Sequence, residues 1–370
     1  MLEGQQTYDN ILAWAHQNGA PGAILCVKTP HEEFIESVGY ADRKQRIPMR
    51  TDHAFRIGSV TKTFVGLVMA QLVAEGKVRL EDPIAHYLPA SIADPITNSD
   101  IVTLRQLLRH QSGIYDYDEN WRYNIRRYIL QPKADWPPER SLRYAFGKPE
   151  EFPPGEGWSY SNSNYLLAAF LIDHVVGRHH SMEIRDRILD PLGLNHTYYE
   201  HYETPASELA HGYTSLGLWA YDARHTTPLV GGEAGLVSTV SDLVTFARAV
   251  FHNKDFVGDP VWGVRRGEPN PALGGKTRRV ERYPVLRNDF GVFLNRADAR
   301  SPWFFGHFGR VSGYACFVWH EPTHDITISF FLSKISVSGK YDRLLSEAAH
   351  ALFELSLRRC ESVAQSVKID

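Results

Sequence analysis

Apolar residues recur along the chain with two spacings, which predict strands near both ends and helices between them. Short apolar runs bounded by turn residues are typical of strands, and a period of about 3.6 residues is typical of helices. Helices are predicted at 7–18 and 340–358. The strand-like segments are PGAILCVKT (21–29), EFIESVGYA (33–41), DFGVFL (289–294), YACFVW (314–319) and ITISFFL (326–332). Because strands need neighbours, we expect the two ends to share one sheet.

The middle of the chain is dominated by helical spacing, interrupted by loops rich in proline, glycine and aromatic residues. A helix is predicted over 59–76, ended by Gly76, and its apolar positions are Val60, Phe64, Leu67, Val68 and Leu72. Further helices are predicted at 102–110, 164–176, 181–190 and 241–251, and a loop at 252–285. The pattern predicts an α/β fold with a discontinuous α/β domain, 1–80 and 231–370. A mainly α-helical domain, 81–230, is inserted in it.

Composition and charge exclude several classes of protein. The 370 residues are 43% hydrophobic and 22% charged, which is typical of a globular chain large enough for two lobes. The formal net charge is −3 and no basic stripe is visible, so we expect no nucleic-acid partner. Cys26, Cys316 and Cys360 lie far apart, which indicates neither a disulfide framework nor a zinc knuckle. The sequence does not indicate an oligomeric state.

Two segments bear on targeting and on membrane insertion. The start, MLEGQQTYDNILAW, lacks a basic region followed by an apolar one and so does not resemble a signal peptide. YLLAAFLIDHVV (165–176) is too short to span a bilayer and contains Asp173 and His174, so we expect a buried helix and no transmembrane segment. As the sequence stands, we expect a cytoplasmic location, or a periplasmic or secreted one if a leader was removed.

The segment FRIGSVTKTF (55–64) contains the first candidate for chemistry. Ser59 and Lys62 are three residues apart at the start of a predicted helix, so their side chains would share a face. A serine hydroxyl needs a base to become a nucleophile, and a lysine can be that base if burial lowers its pKa. The alternative is an ordinary helix start with a solvated lysine.

Two further segments contain polar groups that could complete a site. FPPGEGWSYSNSNY (152–165) presents Tyr160 and Asn162 just before a predicted helix, which is compatible with acid–base work or with a packed tyrosine and a capping asparagine. FFGHFGRVSGYACFVW (304–319) places His307 before a strand that contains Gly313, where a glycine permits close approach of a ligand. The alternative there is a bulged strand with an incidental histidine.

Taken together and in this order, S-x-x-K, Y-x-N and H-x-G resemble the motifs of the serine β-lactamase superfamily. The nearest groups are class C β-lactamases, D-alanyl-D-alanine carboxypeptidases and D-aminopeptidases. The resemblance extends over about residues 10–355. Other stretches that look like this family are LEDPIAHYLP (80–89), VTLRQLLRHQSGI (102–114), PLGLNHT (191–197) and GGEAGLVSTVSDL (231–243). The implied fold is an antiparallel sheet flanked by helices and built from both chain ends, with an all-α lobe inserted in the middle.

The resemblance also implies a role for each motif residue. Ser59 would be the acylated nucleophile, and Lys62 and Tyr160 would share the acid and base steps. Asn162 would support Lys62 and bind substrate. The backbone N–H groups of Ser59 and Arg310 would form the oxyanion hole, with Gly309 preceding Arg310 in the third motif. No cofactor and no metal are implied, and we note that His179, His180 and His201 lack companions at ligand spacing.

The chain departs from class C β-lactamases at the third motif, where K-T-G is replaced by His307-Phe308-Gly309. A histidine with an ordinary pKa of about 6.5 is mostly neutral at pH 7 and offers a carboxylate no fixed charge. Relatives with histidine there are more often D-aminopeptidases, D-amino-acid amidases and esterases. We therefore expect His307 to face the substrate and to bind carboxylates better below pH 6.5. Asp116, in the loop after Ser112-Gly113, could pair with a substrate amine, but we expect it to be a solvated loop acid.

The expected function is hydrolysis of amide or ester bonds in small substrates through an acyl-enzyme. D-amino-acid peptides or amides are the favoured substrates, including those of the D-Ala-D-Ala carboxypeptidase type. The alternatives within the class are a carboxylesterase or transesterase and a weak β-lactamase. The alternative from another class is a catalytically silent penicillin-binding-like protein. Completeness of all three motifs argues against the silent protein.

Overall fold

A computed structural model describes most of the chain, and the following account concerns that part. The described residues are 7–216, 219–251, 256, 277–278, 287–295, 302–336 and 339–366. The predicted loop at 252–285 lies outside them, apart from Phe256 and the short strand Thr277–Arg278.

The described strands form one large sheet and three small ones. The strands are β1 Gly22–Lys28, β2 Glu33–Asp42, β3 Ile47–Pro48, β4 Phe55–Arg56, β5 Trp158–Ser159, β6 Tyr198–Tyr199, β7 Tyr213–Leu216, β8 Trp219–Asp222, β9 Leu236–Ser238, β10 Thr277–Arg278, β11 Arg287–Asp289, β12 Val292–Asn295, β13 Phe304–Val311, β14 Tyr314–Glu321, β15 Ile326–Leu332 and β16 Lys334–Ser336. The large sheet has the order β11-β12-β13-β14-β15-β1-β2-β3, and all of its pairs are antiparallel. Both chain ends therefore contribute to one sheet, as the sequence predicts.

The described α-helices surround this sheet and fill the middle of the chain. They are α1 Tyr8–Gln17, α2 Thr61–Ala74, α3 Ala90–Ala93, α4 Leu104–Leu108, α5 Trp121–Asn124, α6 Pro138–Leu142, α7 Asn162–Val176, α8 His180–Ile184, α9 Val240–Phe251 and α10 Lys340–Ser366. Single turns of 3₁₀-helix lie at Gly58–Val60, Ile84–His86, Tyr117–Glu119 and Ala223–His225, and π-helical turns follow α5 and α8.

Strand β1 shows why helices cover both faces of the large sheet, which gives three layers. Its residues are buried on both faces, and successive side chains of a strand point to opposite sides. Ala23, Leu25 and Val27 pack in one hydrophobic cluster with residues of α1 and α10. Ile24 and Cys26 pack in the other cluster, with residues of α2 and α9. A continuous apolar run in β1 is therefore explained by helices covering both faces of the sheet.

Four sequence predictions about elements need correction. DFGVFL is not one strand, because β11 and β12 form a hairpin that turns at Phe290 and Gly291, where φ is positive for both residues. His307-Phe308-Gly309 lies inside β13 rather than before it. Gly313, with φ +83°, belongs to the turn between β13 and β14. The inserted middle is not purely helical, since it also contains β5 to β8.

Other predictions about elements and burial agree with the structure. Helix α7 includes the apolar segment 165–176, and its residues from Ser163 to Ile172 are buried. The three cysteines are buried and unpaired. Within the described part of the chain, no helix combines the length and apolarity needed to cross a membrane. The domain boundaries after 80 and 230 remain a prediction.

Candidate active site

Ser59 and Lys62 are brought together by the start of α2. Ser59 lies in the 3₁₀ turn Gly58–Val60, which continues directly into α2 at Thr61. N–H groups in the first turn of a helix have no partner within that helix, so the Ser59 N–H is available to an incoming oxygen. The Nζ of Lys62 lies 3.0 Å from the Oγ of Ser59. The helical spacing expected from the sequence is therefore present as a hydrogen bond.

The Lys62 side chain is completely buried, which excludes the alternative of a solvated lysine. Besides Ser59, its Nζ donates to the Oδ1 of Asn162 at 2.9 Å and to the backbone carbonyl of Glu233 at 2.8 Å. Burial lowers the pKa of Lys62 to about 7, and the nearby acidic groups, Glu233 first among them, oppose that shift. An amine with a pKa near neutrality can exchange a proton with Ser59 under physiological conditions.

Asn162 is the first residue of α7, and its position beside Lys62 follows from the preceding loop. The loop ends at Ser161, which has an extended backbone conformation and occupies the N-cap position of α7 without a side-chain capping hydrogen bond. The Nδ2 of Asn162 donates to the Oδ2 of Asp116 at 3.4 Å. Asp116 is only 1% exposed, so the expectation of a solvated loop acid is wrong. The loop containing it folds inward and lies against the site.

Tyr160 is half-buried, and its ring lies beside the amine of Lys62. The Lys62 Nζ is 5.1 Å from the centre of the Tyr160 ring. The Tyr160 ring also lies against His110, with 4.5 Å between ring centroids. His110 was not identified from the sequence as a site residue, although it is fully buried and the Ser161 N–H donates to its Nδ1 at 3.2 Å. It supports the loop that presents Tyr160 and Asn162.

Strand β13 approaches the Ser59 turn so closely that two glycines are required. A Cβ added to Gly309 would lie 1.9 Å from the carbonyl oxygen of Ile57. A Cβ added to Gly58, which has φ +51°, would lie 2.8 Å from the backbone nitrogen of Arg310. The Arg310 side chain is directed elsewhere, since its Nη1 pairs with Asp342 at 3.1 Å. The backbone of Arg310, not its guanidinium, therefore adjoins Ser59.

His307 lies in β13 next to the site but is only 1% exposed. Its ring packs on Phe293, with 4.4 Å between centroids, and lies 6.3 Å from the Tyr160 ring. Burial, and the nearby charge of Lys62, lower the pKa of His307 to about 3. The expectation that His307 titrates near pH 6.5 is therefore wrong, because an imidazolium in this position would be desolvated.

The hydrogen bond of the His307 ring determines which of its two nitrogens holds the proton. Its Nδ1 contacts the carbonyl of Phe308, which can only accept, so Nδ1 holds the proton. The buried Nε2 then presents a lone pair, and it has no hydrogen-bond partner among the described residues. Whatever meets Nε2 must donate a hydrogen bond. An N–H or a hydroxyl fulfils that condition, and an ionised carboxylate does not.

Glu233 is a buried site residue that the sequence analysis did not single out, although the stretch GGEAGL contains it. Its Oε1 accepts a hydrogen bond from the Tyr117 hydroxyl at 2.9 Å, while Oε2 has no partner among the described residues. Burial raises the pKa of Glu233, and the nearby Lys62 charge opposes the shift. No sequence pattern indicates that this acid is buried, because glutamate is usually exposed.

A second cluster of polar side chains lies apart from Ser59. Ligand atoms of Asp173, His179 and His180 fall within 4.8 Å of one another, so the sequence expectation that the histidine pair lacks a companion is wrong. Both ring nitrogens of His180 are already used, Nδ1 by Asp173 at 2.9 Å and Nε2 by the Tyr199 hydroxyl at 2.7 Å. These bonds account for the cluster as internal structure.

Known proteins are similar to this chain in sequence and in fold. A family model described as Beta-lactamase matches residues 5–351. A penicillin-binding protein of Bacillus subtilis (strain 168) is 25% identical, and the alignment covers 94% of this chain and 75% of that protein. Esterase EstB of Burkholderia gladioli is 32% identical over 47% of this chain and 45% of that protein.

Solved structures extend the comparison to the whole fold. The D-amino acid amidase of Ochrobactrum anthropi SV3, crystallised with L-phenylalanine amide, superposes with a TM-score of 0.77. It is 25% identical, and the match covers 94% of this chain and 97% of the amidase chain. A D-stereospecific amidohydrolase of Streptomyces sp. is 24% identical, with a TM-score of 0.76 and coverage of 88% of this chain and 92% of that chain.

Proposed function

We propose that this chain, which belongs to the Beta-lactamase family of serine hydrolases, cleaves amide bonds of D-amino-acid amides or peptides through an acyl-enzyme on Ser59. The observation that supports the proposal best is the 3.0 Å hydrogen bond between Lys62 and Ser59. A hydroxyl becomes a nucleophile when a neighbouring base removes its proton. Lys62, with its pKa lowered to about 7, is such a base.

The proposed reaction assigns a role to each of the groups around Ser59. Neutral Lys62 takes the Ser59 proton while the Oγ attacks the substrate carbonyl carbon. The backbone N–H groups of Ser59 and Arg310 stabilise the negative oxygen that forms. Tyr160 delivers a proton to the departing amine, and a water molecule then hydrolyses the ester on Ser59 with the same groups acting in reverse. Asn162 holds Lys62 in place throughout.

His307 is the basis for the proposed preference for amides in which the groups next to the scissile bond are neutral or are amines. Its Nε2 presents a lone pair, so it attracts a donor such as an N–H and repels a carboxylate. Resemblance to an amidase whose name specifies D-amino acids supports the proposed preference for D-amino-acid substrates. Efficient β-lactam hydrolysis is disfavoured, because β-lactams have a carboxylate that a fixed cation binds best.

A carboxylesterase is the second candidate function. The local identity of 32% to an esterase favours it, and ester cleavage uses the same nucleophile and oxyanion donors as amide cleavage. The chain would be a catalytically silent penicillin-binding-like protein only if Ser59 did not react with substrates.

A substrate panel together with labelling tests the proposal. Wild-type enzyme is assayed on D- and L-amino-acid amides, D-Ala-D-Ala peptides, p-nitrophenyl esters and nitrocefin, and intact mass is measured after treatment with a fluorophosphonate. We expect the highest kcat/KM on a D-amino-acid amide and one added label per chain. Ser59→Ala should lose both labelling and turnover, whereas Ser91→Ala, an exposed serine, should keep both. Labelling that persists in Ser59→Ala would exclude Ser59 as the nucleophile.

A further inference from the structure

An open cleft of about 990 Å³ lies on the inserted lobe, and neither Ser59 nor Lys62 lines it. Its walls come from the segment between Tyr115 and Lys148. A volume of this size accommodates an organic ligand of moderate size. The cleft therefore differs from the catalytic site and needs its own explanation.

The charged residues that line the cleft are all cations. They are Arg122, Arg126, Arg140, Arg143 and Lys148, and no acidic residue lines it. None of these five side chains forms an ion pair with a carboxylate of the described residues. The chain as a whole has a formal net charge of −3, so this concentration of unpaired positive charge is local. A cleft lined by one sign of charge attracts ligands of the opposite sign.

The remaining lining residues provide apolar and aromatic surface. Trp121 is 64% exposed and Leu130 is 69% exposed, which is unusual for such large side chains outside an interface. Ile125 follows Trp121 at a spacing of one helical turn, so the two side chains share a face of the helical segment. The guanidinium group of Arg122 lies over the Trp121 ring, 5.3 Å from its centroid. The cleft wall therefore combines cations with apolar side chains that an organic ring or chain can contact.

Hydrogen bonds hold some of the cleft arginines in position, but each guanidinium group still has N–H donors that bind no described residue. Arg126 donates one bond, to the Tyr144 hydroxyl at 3.5 Å, and Arg140 donates to the Gln131 side chain and the Asp135 carbonyl. A guanidinium has five N–H donors arranged to bind carboxylate or phosphate in a bidentate manner. The side chains of Arg122 and Arg143 have no hydrogen bond to any described residue.

The cleft also adjoins the loop that lies against the catalytic lysine. Tyr115 and Asn120 line the cleft, and between them Asp116 contacts Asn162 while Tyr117 contacts Glu233. A ligand in the cleft would therefore press on the loop whose inner side borders the active site.

We propose that this cleft is a second binding site, for an organic anion in which a carboxylate, phosphate or sulfonate group is attached to an aromatic or aliphatic body. The cations bind the anionic group, and Trp121, Ile125 and Leu130 contact the body. The proposal goes beyond the hydrolase function and does not depend on which bond Ser59 cleaves.

Binding of anilinonaphthalene sulfonate, whose fluorescence rises in apolar surroundings, tests the proposal on the full chain. We expect saturable binding at one site, weakened by added salt and competed by phenyl phosphate but not by phenol. Arg126→Gln combined with Arg143→Gln should raise the Kd at least about tenfold, since two charge-assisted contacts are lost. Ser59→Ala should bind the probe as the wild type does, which separates this test from the test of the hydrolase.

The matched control is Arg43→Gln combined with Lys44→Gln, which removes two exposed cations that do not line the cleft and changes the net charge equally. This control should leave the Kd unchanged. Equal weakening by both double variants would show that only the overall charge matters and would overturn the site. Sedimentation with phosphatidylglycerol vesicles but no binding of the soluble probe would also overturn it, because the surface would then bind lipid membranes.

Discussion

Lys62 is a lysine with no exposed surface, and that single fact controls the chemistry of the site. Each of its three hydrogen bonds goes to a different part of the chain, namely Ser59, Asn162 and the carbonyl of Glu233. Burial disfavours the charged form of an amine and lowers its pKa. In the proposed reaction, the same side chain would be neutral when Ser59 loses its proton and charged before that proton is returned.

The first prediction concerns the pH dependence of acylation. Because the pKa of Lys62 is lowered to about 7, kcat/KM should fall as the pH drops below that value and Lys62 becomes protonated. Lys62→Arg keeps a permanent charge, so it should lose at least ~10²-fold in kcat and show no such acid limb. The measurement is kcat/KM between about pH 5.5 and about 8.5.

Lys77→Arg serves as the control for this measurement, because Lys77 is solvent-exposed in the turn after α2. It should retain the wild-type rate and profile. A wild-type profile that stays flat down to about pH 5.5 would contradict the assignment of Lys62 as the base.

The second prediction concerns His307. Since the pKa of His307 is lowered to about 3, the ratio of kcat/KM for a paired amide and free-acid substrate should not respond to His307 between about pH 5.5 and about 8.5. His307→Lys introduces an amine that a bound carboxylate would keep protonated, and it should raise the relative kcat/KM of the free-acid substrate at least ~10-fold. An inflection of the ratio near pH 6.5 that is absent in His307→Gln would contradict the buried, neutral imidazole.

At the scale of elements, the site depends on the approach of β13 to the turn that precedes α2. The backbone of Gly309 faces the carbonyl of Ile57, and the backbone of Arg310 faces Gly58. An oxyanion hole needs its two N–H groups held close together, and backbone groups can be so placed only where no side chain separates the strands. The third motif thus ends in glycine for a steric reason.

The third prediction follows from this approach. Gly309→Ala would place a Cβ 1.9 Å from the Ile57 oxygen, which forces β13 away from Ser59. We expect a loss of stability of about 1–3 kcal/mol and a loss of at least ~10²-fold in kcat, as for removal of an oxyanion donor. Unfolding in urea and the rate of acylation of folded protein measure the two effects separately.

Gly306→Ala is the matched comparison. It lies in the same strand and its Cβ would meet the Val318 carbonyl at 1.9 Å, but on the side of β14 rather than of Ser59. It should cost similar stability and retain most of the activity of the folded protein. If both variants lose kcat equally, the close approach at Gly309 has no special catalytic part.

At the scale of the whole molecule, elements from the two ends of the chain pack together. Strand β1 lies between β15 and β2, and α10 packs beside α1 on the outer face of the sheet. On the opposite face of the sheet, residues of α2 pack in one hydrophobic cluster with residues of α9 and of the inserted lobe. The site lies where the N-terminal segment, the inserted lobe and β13 meet, so it requires the complete fold.

The fourth prediction tests the contribution of the C-terminal helix. Leu352 in α10 is completely buried in the cluster that includes β1 and β15 residues. Leu352→Ala should lower the free energy of unfolding by about 2–5 kcal/mol while leaving kcat of the folded enzyme unchanged. Arg358→Ala, on the exposed side of the same helix, should change stability by less than about 0.5 kcal/mol. Equal effects of the two variants would contradict the packing described for α10.

Local pattern was sufficient for much of the fold. The apolar run of β1 and the helical period of 59–76 depend on residues close in sequence, so they could be predicted from spacing alone. The hairpin at Phe290 and Gly291 was missed because a two-residue turn inside an apolar run gives no break in hydrophobicity. Short strands such as β5 and β6 were missed because two residues are too few to show a period.

The sequence by itself determined which residue types could react, through the spacing of Ser59 and Lys62 on one helix face and the order of the three motifs. The catalytic roles of these residues and the substrate preference remain predictions. Only the tertiary structure decided the protonation of the site. The pKa values of Lys62 and His307 depend on desolvation by segments distant in sequence, and so does the burial of Asp116 and Glu233. Spacing along a chain has no information on the solvent that the fold removes, and solvent exclusion sets the charge of a buried group.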